Sequence, residues 1–449
     1  MSDSSTHSAS PRAARLGLAV VGVGGAVATT AAAGLELMRL GISGHEGLPL
    51  AELGAEHELR PYEDIVIGGW DVCGDDLAVA VDAHGVLGSA ELAAAAPGLA
   101  ALKPWPAIDD QDFHPGVGGT HRRHVGSKRA AVEAIRADLR AFREQAGLDA
   151  LVMVNLASTE RVIDVDSPVL ASAASFERGI GSENPEIGPA LLYAYAALME
   201  GVPYANFTPS VAAEVPALVE VARREGVPTA GKDGKTGQTM LKTVIAPALR
   251  ARALRVEGWY SANILGNRDG QALHDPASLA SKLATKGSVL DSILGYEVAD
   301  HLVRIDYYAP RGDAKEAWDS IDLVGFLGQR MQLKVNFLCR DSVLAAPLVL
   351  ELARLLDFAQ RRGESGPLPA LGLFFKAPMT GNGPPEHALH RQVEQLASWL
   401  GTASGAADAI PAGSAADPIP AGSAADAIPA GGPADAIPAG ERRWASRAA

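Results

Sequence analysis

Three short runs of consecutive apolar, largely β-branched residues stand out in the first third of the chain: Leu16–Val21, Asp64–Gly69 (leading into Trp70-Asp71) and Ala150–Asn155. Runs of this length without alternation are the mark of strands buried on both faces. Helical spacing of apolar positions separates them, in Ala26–Leu40 and most plainly in Lys128–Gln145, and continues in Ala190–Met199 and Val211–Arg224. Strands alternating with helices predict an α/β fold with a parallel sheet covered on both sides.

After Gly231 the texture changes. A polar, Gly/Lys-rich loop spans 231–237, and three further strands are expected at Val256–Tyr260, Leu302–Tyr308 and Met331–Leu338. The last two show partial alternation, as strands with one buried face do. Residues 240–341 thus read as an inserted α+β unit. Helix returns at Pro347–Gln360, with the proline expected in its first turn. A buried strand is expected at Leu371–Phe375 and a last helix at His387–Leu400. This divides the chain into a discontinuous domain of 14–239 and 342–402, an inserted domain of 240–341, and a tail of 403–449. In the tail Asp408, Asp417, Asp426 and Asp435 recur every nine residues in Asp-Ala-Ile-Pro-Ala-Gly-like repeats. Without large apolar residues, and with proline in each repeat, this segment is expected to be disordered.

Composition narrows the function classes. The 449 residues carry a formal net charge of −14, which disfavours a nucleic-acid partner. Two cysteines, Cys73 and Cys339, with no Cys/His cluster around them, argue against a disulfide framework or a structural zinc, and no metal site is expected. Leu16–Leu35 lacks charge but is rich in Ala, Gly and Thr. It is better read as strand–turn–helix than as a membrane span, and a cytoplasmic enzyme without membrane association is expected.

Chemistry is suggested at two places. Gly22-Val-Gly24-Gly25-Ala26-Val27 follows a strand and opens a helix, the context in which glycines let a pyrophosphate approach a helix N-terminus. The spacing departs from G-x-G-x-x-G, and the first acidic strand end, Asp71, lies well beyond the usual ~20 residues. Taken alone, the turn fits a dinucleotide site and a ligand-free packing corner equally. In the second half, Lys282, Lys286, Lys315 and Lys376 lie in or beside loop signals. Single lysines are ordinarily solvated surface charges, but a cluster suits an anionic substrate or oxyanions that develop during reaction. Asp233–Thr239 (DGKTGQT) has the groups to bind phosphate without P-loop spacing. Asn267–Gly270 (NRDG) reads equally as a plain turn, and Asp341-Ser342 equally as a helix cap.

In order, the stretches GVGGAVATT, DIVIGGWD, VNLASTER, EGVPYANFTPS, GKDGKTGQTMLKT, NILGNRDG, SKLATKGSVLD, GDAKEAWD, CRDSVLAAPL and FKAP resemble the inositol-phosphate synthase family across Leu16–Leu400, closest to its bacterial branch. The resemblance implies a Rossmann-type NAD-binding domain interrupted by a catalytic and tetramerisation domain. It also implies NAD-dependent cyclisation of glucose 6-phosphate to 1D-myo-inositol 3-phosphate, an early step toward inositol phospholipids, in a homotetramer. The NAD contacts it implies are Gly22, Gly24, Gly25, Ala26, Val27, Asp71, Ala157, Thr159, Asp341 and Ser342. The phosphate contacts are Thr236, Gly237 and Gln238. The catalytic groups are Lys282, Lys286, Lys315, Lys376, Asp233 and Asp269. Departures from the eukaryotic pattern at Ala26–Ala28, Asn155–Thr159, Met240 and Arg268 leave open a homologue that cyclises another sugar phosphate, or a catalytically silent NAD-binding protein.

Overall fold

The computed structural model describes residues 14–53, 57–266, 289–381 and 383–401. Asp269, Lys282 and Lys286, and the 403–449 repeats, lie outside the described residues.

Strands β1 (Leu16–Val21), β2 (Ile65–Asp71), β3 (Trp105–Pro106), β4 (Ala150–Asn155), β5 (Tyr204–Asn206), β6 (Pro228–Gly231) and β11 (Gly366–Pro367) form one sheet in the order β11-β6-β5-β4-β1-β2-β3. All its pairings are parallel. The run 3-2-1-4-5-6 within it is the Rossmann strand order, with its switch point between β1 and β4. Alternate residues of the central strands face opposite cores, which is why these strands read as unbroken apolar runs. Leu16, Leu18, Val20, Val152 and Val154 pack under helices Ala26–Arg39 and Asp341–Arg361. Ala19, Val21, Leu151 and Met153 pack under Lys128–Ala146 and Pro189–Met199.

The second sheet has the order β10-β9-β7-β8, from β7 (Arg255–Leu265), β8 (Asp300–Tyr307), β9 (Ala314–Val324) and β10 (Arg330–Arg340). β9 runs antiparallel to both β7 and β10, and β8 is parallel to β7. One face buries Trp259, Ile321 and Leu323 against Ala246 and Leu249 of helix Gln238–Ala251 and against Leu290 and Ile293.

Several expectations are corrected. Leu371–Phe375 is not a strand. Pro369–Phe374 forms 3₁₀ turns, because the short apolar run is wedged beside β6 rather than paired along it. Pro347 is not in a first turn: its helix begins six residues earlier, at Asp341, and carries the proline inside it. The helix expected from Val211 starts at Pro216, whose fixed φ and missing N–H suit a first helical position. The strand β9 went unanticipated, since its inward positions include Ala317 and the buried Asp319 rather than a large-apolar alternation.

Candidate functional site

At the C-terminal end of β1 the chain turns through Gly22, whose φ of 87° lies in the left-handed region. The Gly22 and Val23 N–H groups both donate to the Trp70 carbonyl, at 2.8 and 3.1 Å. A Cβ at Gly22 would lie 3.0 Å from the backbone of Ala157, so this turn and the loop after β4 meet across the switch point. Gly24 N–H donates to Asp71 Oδ2 at 2.9 Å, and the His84 ring lies 2.8 Å from the Gly24 carbonyl. Asp71 also accepts Cys73 N–H at 2.9 Å. Burial pushes its carboxyl above the usual carboxylate value, against the pull of those two N–H groups. Helix Ala26–Arg39 starts from Gly25 with no side-chain cap and no acidic residue in its first turn. Its leading N–H groups, from Ala26 and Val27 onward, thus keep the positive end of the dipole for an outside anion. This cradle fits a dinucleotide pyrophosphate. Asp71 is indeed the end of the second strand, and its unusual distance from the glycines is filled by residues 40–64, inserted between helix and strand.

A second uncapped helix start faces the other cluster. Gly237 precedes helix Gln238–Ala251, again with no capping side chain and no acidic first turn. The preceding loop is held against residues 374–377: Lys235 N–H donates to Phe374 O at 2.8 Å and Lys376 N–H to Asp233 O at 2.7 Å. This pairing aligns the two side chains, so Lys376 Nζ sits 2.7 Å from Asp233 Oδ1. From β9 and the next helix, Lys315 Nζ reaches Asp341 Oδ2 at 2.9 Å, while Thr236 Oγ1 donates to Asp341 Oδ1 at 3.2 Å. Thr236 therefore ties the two lysine–aspartate pairs into one group. Burial alone would raise the Asp341 carboxyl, but Lys315 in contact and Lys376 nearby outweigh it and hold it below its ordinary value. Arg340, next to Asp341, donates from Nη2 at 2.7 Å to the carbonyl of Gly85, the residue after the His84 that touches Gly24.

Against known proteins, residues 49–401 match an NAD-binding family model described as myo-inositol-1-phosphate synthase. The chain belongs to the myo-inositol-1-phosphate synthase family. It is 40% identical over 402 residues to inositol-3-phosphate synthase 1 of Bacteroides thetaiotaomicron, covering 85% of this chain and 94% of that one. It is 30% identical to isozyme 1 of Arabidopsis thaliana, over 78% of this chain and 75% of the relative. Among solved structures it superposes on inositol-3-phosphate synthase from Caenorhabditis elegans with a TM-score of 0.79 at 27% identity, covering 87% and 86% of the two chains. The myo-inositol-1-phosphate synthase-related protein of Thermotoga maritima gives 0.71 at 27% identity, covering 86% and 99%. The chain is thus an NAD-binding enzyme of the synthase family.

Several residues do more in this synthase than a motif conveys. The Gln238 side chain points into the second sheet, where Asn263 Nδ2 donates to it at 2.6 Å and it donates to Asp319 at 3.1 Å. Its side chain is thus engaged by the second sheet, and its backbone N–H is the donor it brings to the helix start. Asp341 is not a cap. It is the first helical residue, and its carboxylate is engaged by Lys315 and Thr236. Ser342, buried behind it, donates to Asp313 Oδ1 at 2.8 Å. Thr159 lies half-buried in the loop after Ala157.

Two buried lysines were not anticipated as site residues, although both lie in the GKDGKTGQTMLKT stretch. Lys235 bonds the Gln392 side-chain oxygen, and burial lowers its amine to about 7. Lys242 lies 2.7 Å from His301 Nε2 beneath Trp259, and burial lowers it to about 8. For Lys242 the only signal was a lysine among apolar helix positions, and for Lys235 a lysine in a glycine-rich loop, neither of which the sequence distinguishes from a surface charge. Among the described residues, no group of three or more His, Cys, Asp or Glu is placed to hold a metal, and no helix is long and apolar enough to cross a membrane.

Proposed function

We propose that this enzyme converts D-glucose 6-phosphate to 1D-myo-inositol 3-phosphate by internal oxidation, enolisation, aldol closure and reduction. The observation that carries the reading is the linked pair of ion pairs, Lys376–Asp233 and Lys315–Asp341, around the uncapped start of helix Gln238–Ala251. Bound at the glycine turn, NAD⁺ would supply reversible hydride transfer with the sugar. The chain's own residues do the rest.

Thr236 and the backbone N–H groups at Gly237 and Gln238 hold the substrate phosphate. Lys315 is assigned to the phosphate and the C5 oxygen, a role the family resemblance also gives to Lys286. Lys376 is assigned to the C1 oxygen that gains charge when the ring closes, a role the family resemblance also gives to Lys282. Asp233 keeps Lys376 aligned, and the family resemblance assigns Asp269 to the same chemistry. Gly22, Gly24, Gly25, Ala26, Val27, Asp71, Ala157, Thr159, Asp341 and Ser342 hold the dinucleotide. The domain limits follow the same reading, with 14–239 and 342–402 carrying NAD and 240–341 the catalytic and assembly surface.

The enzyme is further proposed to be a cytoplasmic homotetramer. Leu302, Phe326, Leu327 and Leu338 stand exposed on the strands and hairpin of the second sheet, apolar surface that another copy would cover. Light scattering is expected to give the mass of four chains.

The deciding assay incubates the protein with NAD⁺ and glucose 6-phosphate, follows NADH absorbance, and identifies the product. Inositol phosphate should form with almost no NADH accumulating. Steady NADH growth would mean an ordinary dehydrogenase. Turnover of only another hexose phosphate would replace the substrate but keep the chemistry.

A further inference from the structure

Residues 108–117 run beside the loop that follows β4. Arg161 N–H donates to Phe113 O at 2.9 Å, and next to it the buried His114 ring spans two partners. Nδ1 lies 2.7 Å from Asp109 Oδ1, and Nε2 lies 2.9 Å from the Ser158 carbonyl. Both partners can only accept. A carbonyl oxygen has no proton to give. Burial raises the Asp109 carboxyl, but His114 and Arg122, whose Nε is 2.8 Å away, outweigh it and keep it ionised. Each ring nitrogen must therefore carry a hydrogen, so the geometry requires an imidazolium.

Ser158 sits between Ala157, which meets Gly22, and Thr159. The same loop is fixed at its start by Leu156 N–H to Val21 O at 2.9 Å and by Ala157 N–H to Asn155 Oδ1 at 3.1 Å. At its end Glu160 N–H donates to Ser210 Oγ at 3.0 Å. Between these anchors, the Ser158 carbonyl is the point at which His114 takes hold.

We propose that His114, as a doubly protonated imidazolium, is a positioning residue that holds the 156–159 loop against the glycine turn and thereby sets the affinity for NAD. The inference rests on the reading that this loop lines the NAD site. His114 touches neither substrate nor reacting atoms.

Burial lowers the His114 ring, but the Asp109 bond and the charges of Glu160 and Asp109 outweigh it and raise it above 6.5. The clamp is complete below pH 6.5 and is released as pH rises through the raised value. Glu160 is the other group that titrates here. Its carboxylate accepts Ala190 N–H at 2.7 Å, and burial pushes it up to about 7. Arg122 behind Asp109, and Arg161 stacked on Phe113, are the remaining charges around the ring.

The test is NAD⁺ affinity by titration calorimetry from about pH 6 to about pH 9, the range in which histidine titrates. In the unmodified enzyme, Kd should rise about tenfold across that range as the charge-assisted bond to Ser158 is lost. His114→Phe should bind weakly and without pH dependence, and His114→Gln, which keeps one donor, should recover part of the affinity at all pH values. Asp109→Asn should move the midpoint to lower pH. Glu160→Gln should keep a pH dependence, with its midpoint moved lower because the Glu160 charge no longer raises the ring, which separates the two titrating groups. The kcat at saturating NAD⁺ should change far less than the affinity.

A flat Kd in the unmodified enzyme overturns the proposal without requiring any variant to fold. Binding by a folded His114→Phe within about twofold of the unmodified enzyme also overturns it. An unmodified enzyme that binds no NAD⁺ at all would instead overturn the reading of the loop.

Discussion

Replacing Lys376 with alanine is expected to abolish measurable cyclisation while leaving NAD⁺ binding intact. The ammonium lies 2.7 Å from Asp233 and is held there by the backbone pairing of residues 374–377 with the 232–236 loop. In the proposed reaction it donates to an oxygen whose charge appears only as the ring closes. Loss of one such preorganised donor lowers kcat by about 10²–10³-fold, and deletion of a full ammonium falls at or beyond the upper end of that range. The glycine turn and Asp71 are built from other elements, so NAD⁺ affinity should stay within about twofold of the unmodified enzyme. Lys376→Ala also leaves Asp233, only 4% exposed, without its cation. The double variant Lys376→Ala/Asp233→Asn separates that electrostatic cost from lost catalysis, since it should be equally inactive but more stable than the single variant. Near-normal turnover in Lys376→Ala would remove this lysine from the mechanism.

The second large effect concerns stability. Glu351 is fully buried in helix Asp341–Arg361 and accepts three hydrogen bonds: from Leu50 N–H at 3.0 Å, Tyr62 Oη at 2.6 Å and Arg354 Nη1 at 2.7 Å. The Arg354 guanidinium donates as well to Arg60 O at 2.7 Å and stacks 3.9 Å from the Tyr62 ring centre. Helix and 40–64 insertion are thus joined through one buried ion pair. Arg354→Leu leaves the Glu351 charge buried without a counter-ion, a change that costs about 3–5 kcal/mol. Denaturant melts should show that loss. Arg354→Leu/Glu351→Gln should recover much of it, because the uncompensated charge, rather than the missing packing, dominates the penalty. A single variant within about 1 kcal/mol of the unmodified protein would show that water reaches the site.

The parts of this fold that were legible in advance share a physical cause. Strands β1, β2 and β4 are buried on both faces, so nearly every position must be apolar, and Lys128–Ala146 has one buried stripe of Ala131, Val132, Ile135, Leu139 and Phe142. Strand β9 lacked such a signature because Asp319 occupies an inward position, where Trp259, Ser261 and Gln238 satisfy it. Those partners are remote in the sequence, and no local pattern announces them. The same holds for the candidate site. The glycine turn could be placed from its strand–turn–helix context, whereas the pairing of Lys315 with Asp341 and of Lys376 with Asp233 depends on β9 and the 374–377 segment arriving beside the 232–237 loop. Family resemblance pointed to those residues, and geometry explains why each lysine has its own aspartate. The His114–Asp109–Ser158 clamp left no trace in the sequence beyond a histidine shortly after three aspartates.

The route of the chain has a bearing on how the protein is made. Helix Asp341–Arg361 covers the face of the parallel sheet formed by Leu16, Leu18, Val20, Val152 and Val154, contributing Val349, Leu352, Ala353 and Leu356 to that core. It is synthesised only after all four strands of the second sheet. A nascent chain that has completed β6 therefore carries six of the seven strands, with only helix Ala26–Arg39 over that face and the rest of it bare, and must keep that surface from associating with others until some hundred further residues have emerged. The dinucleotide half is accordingly not a module that can be cut out before residue 341. Shortened versions of this enzyme would have to rejoin the late helix to the early strands, or supply it as a separate peptide.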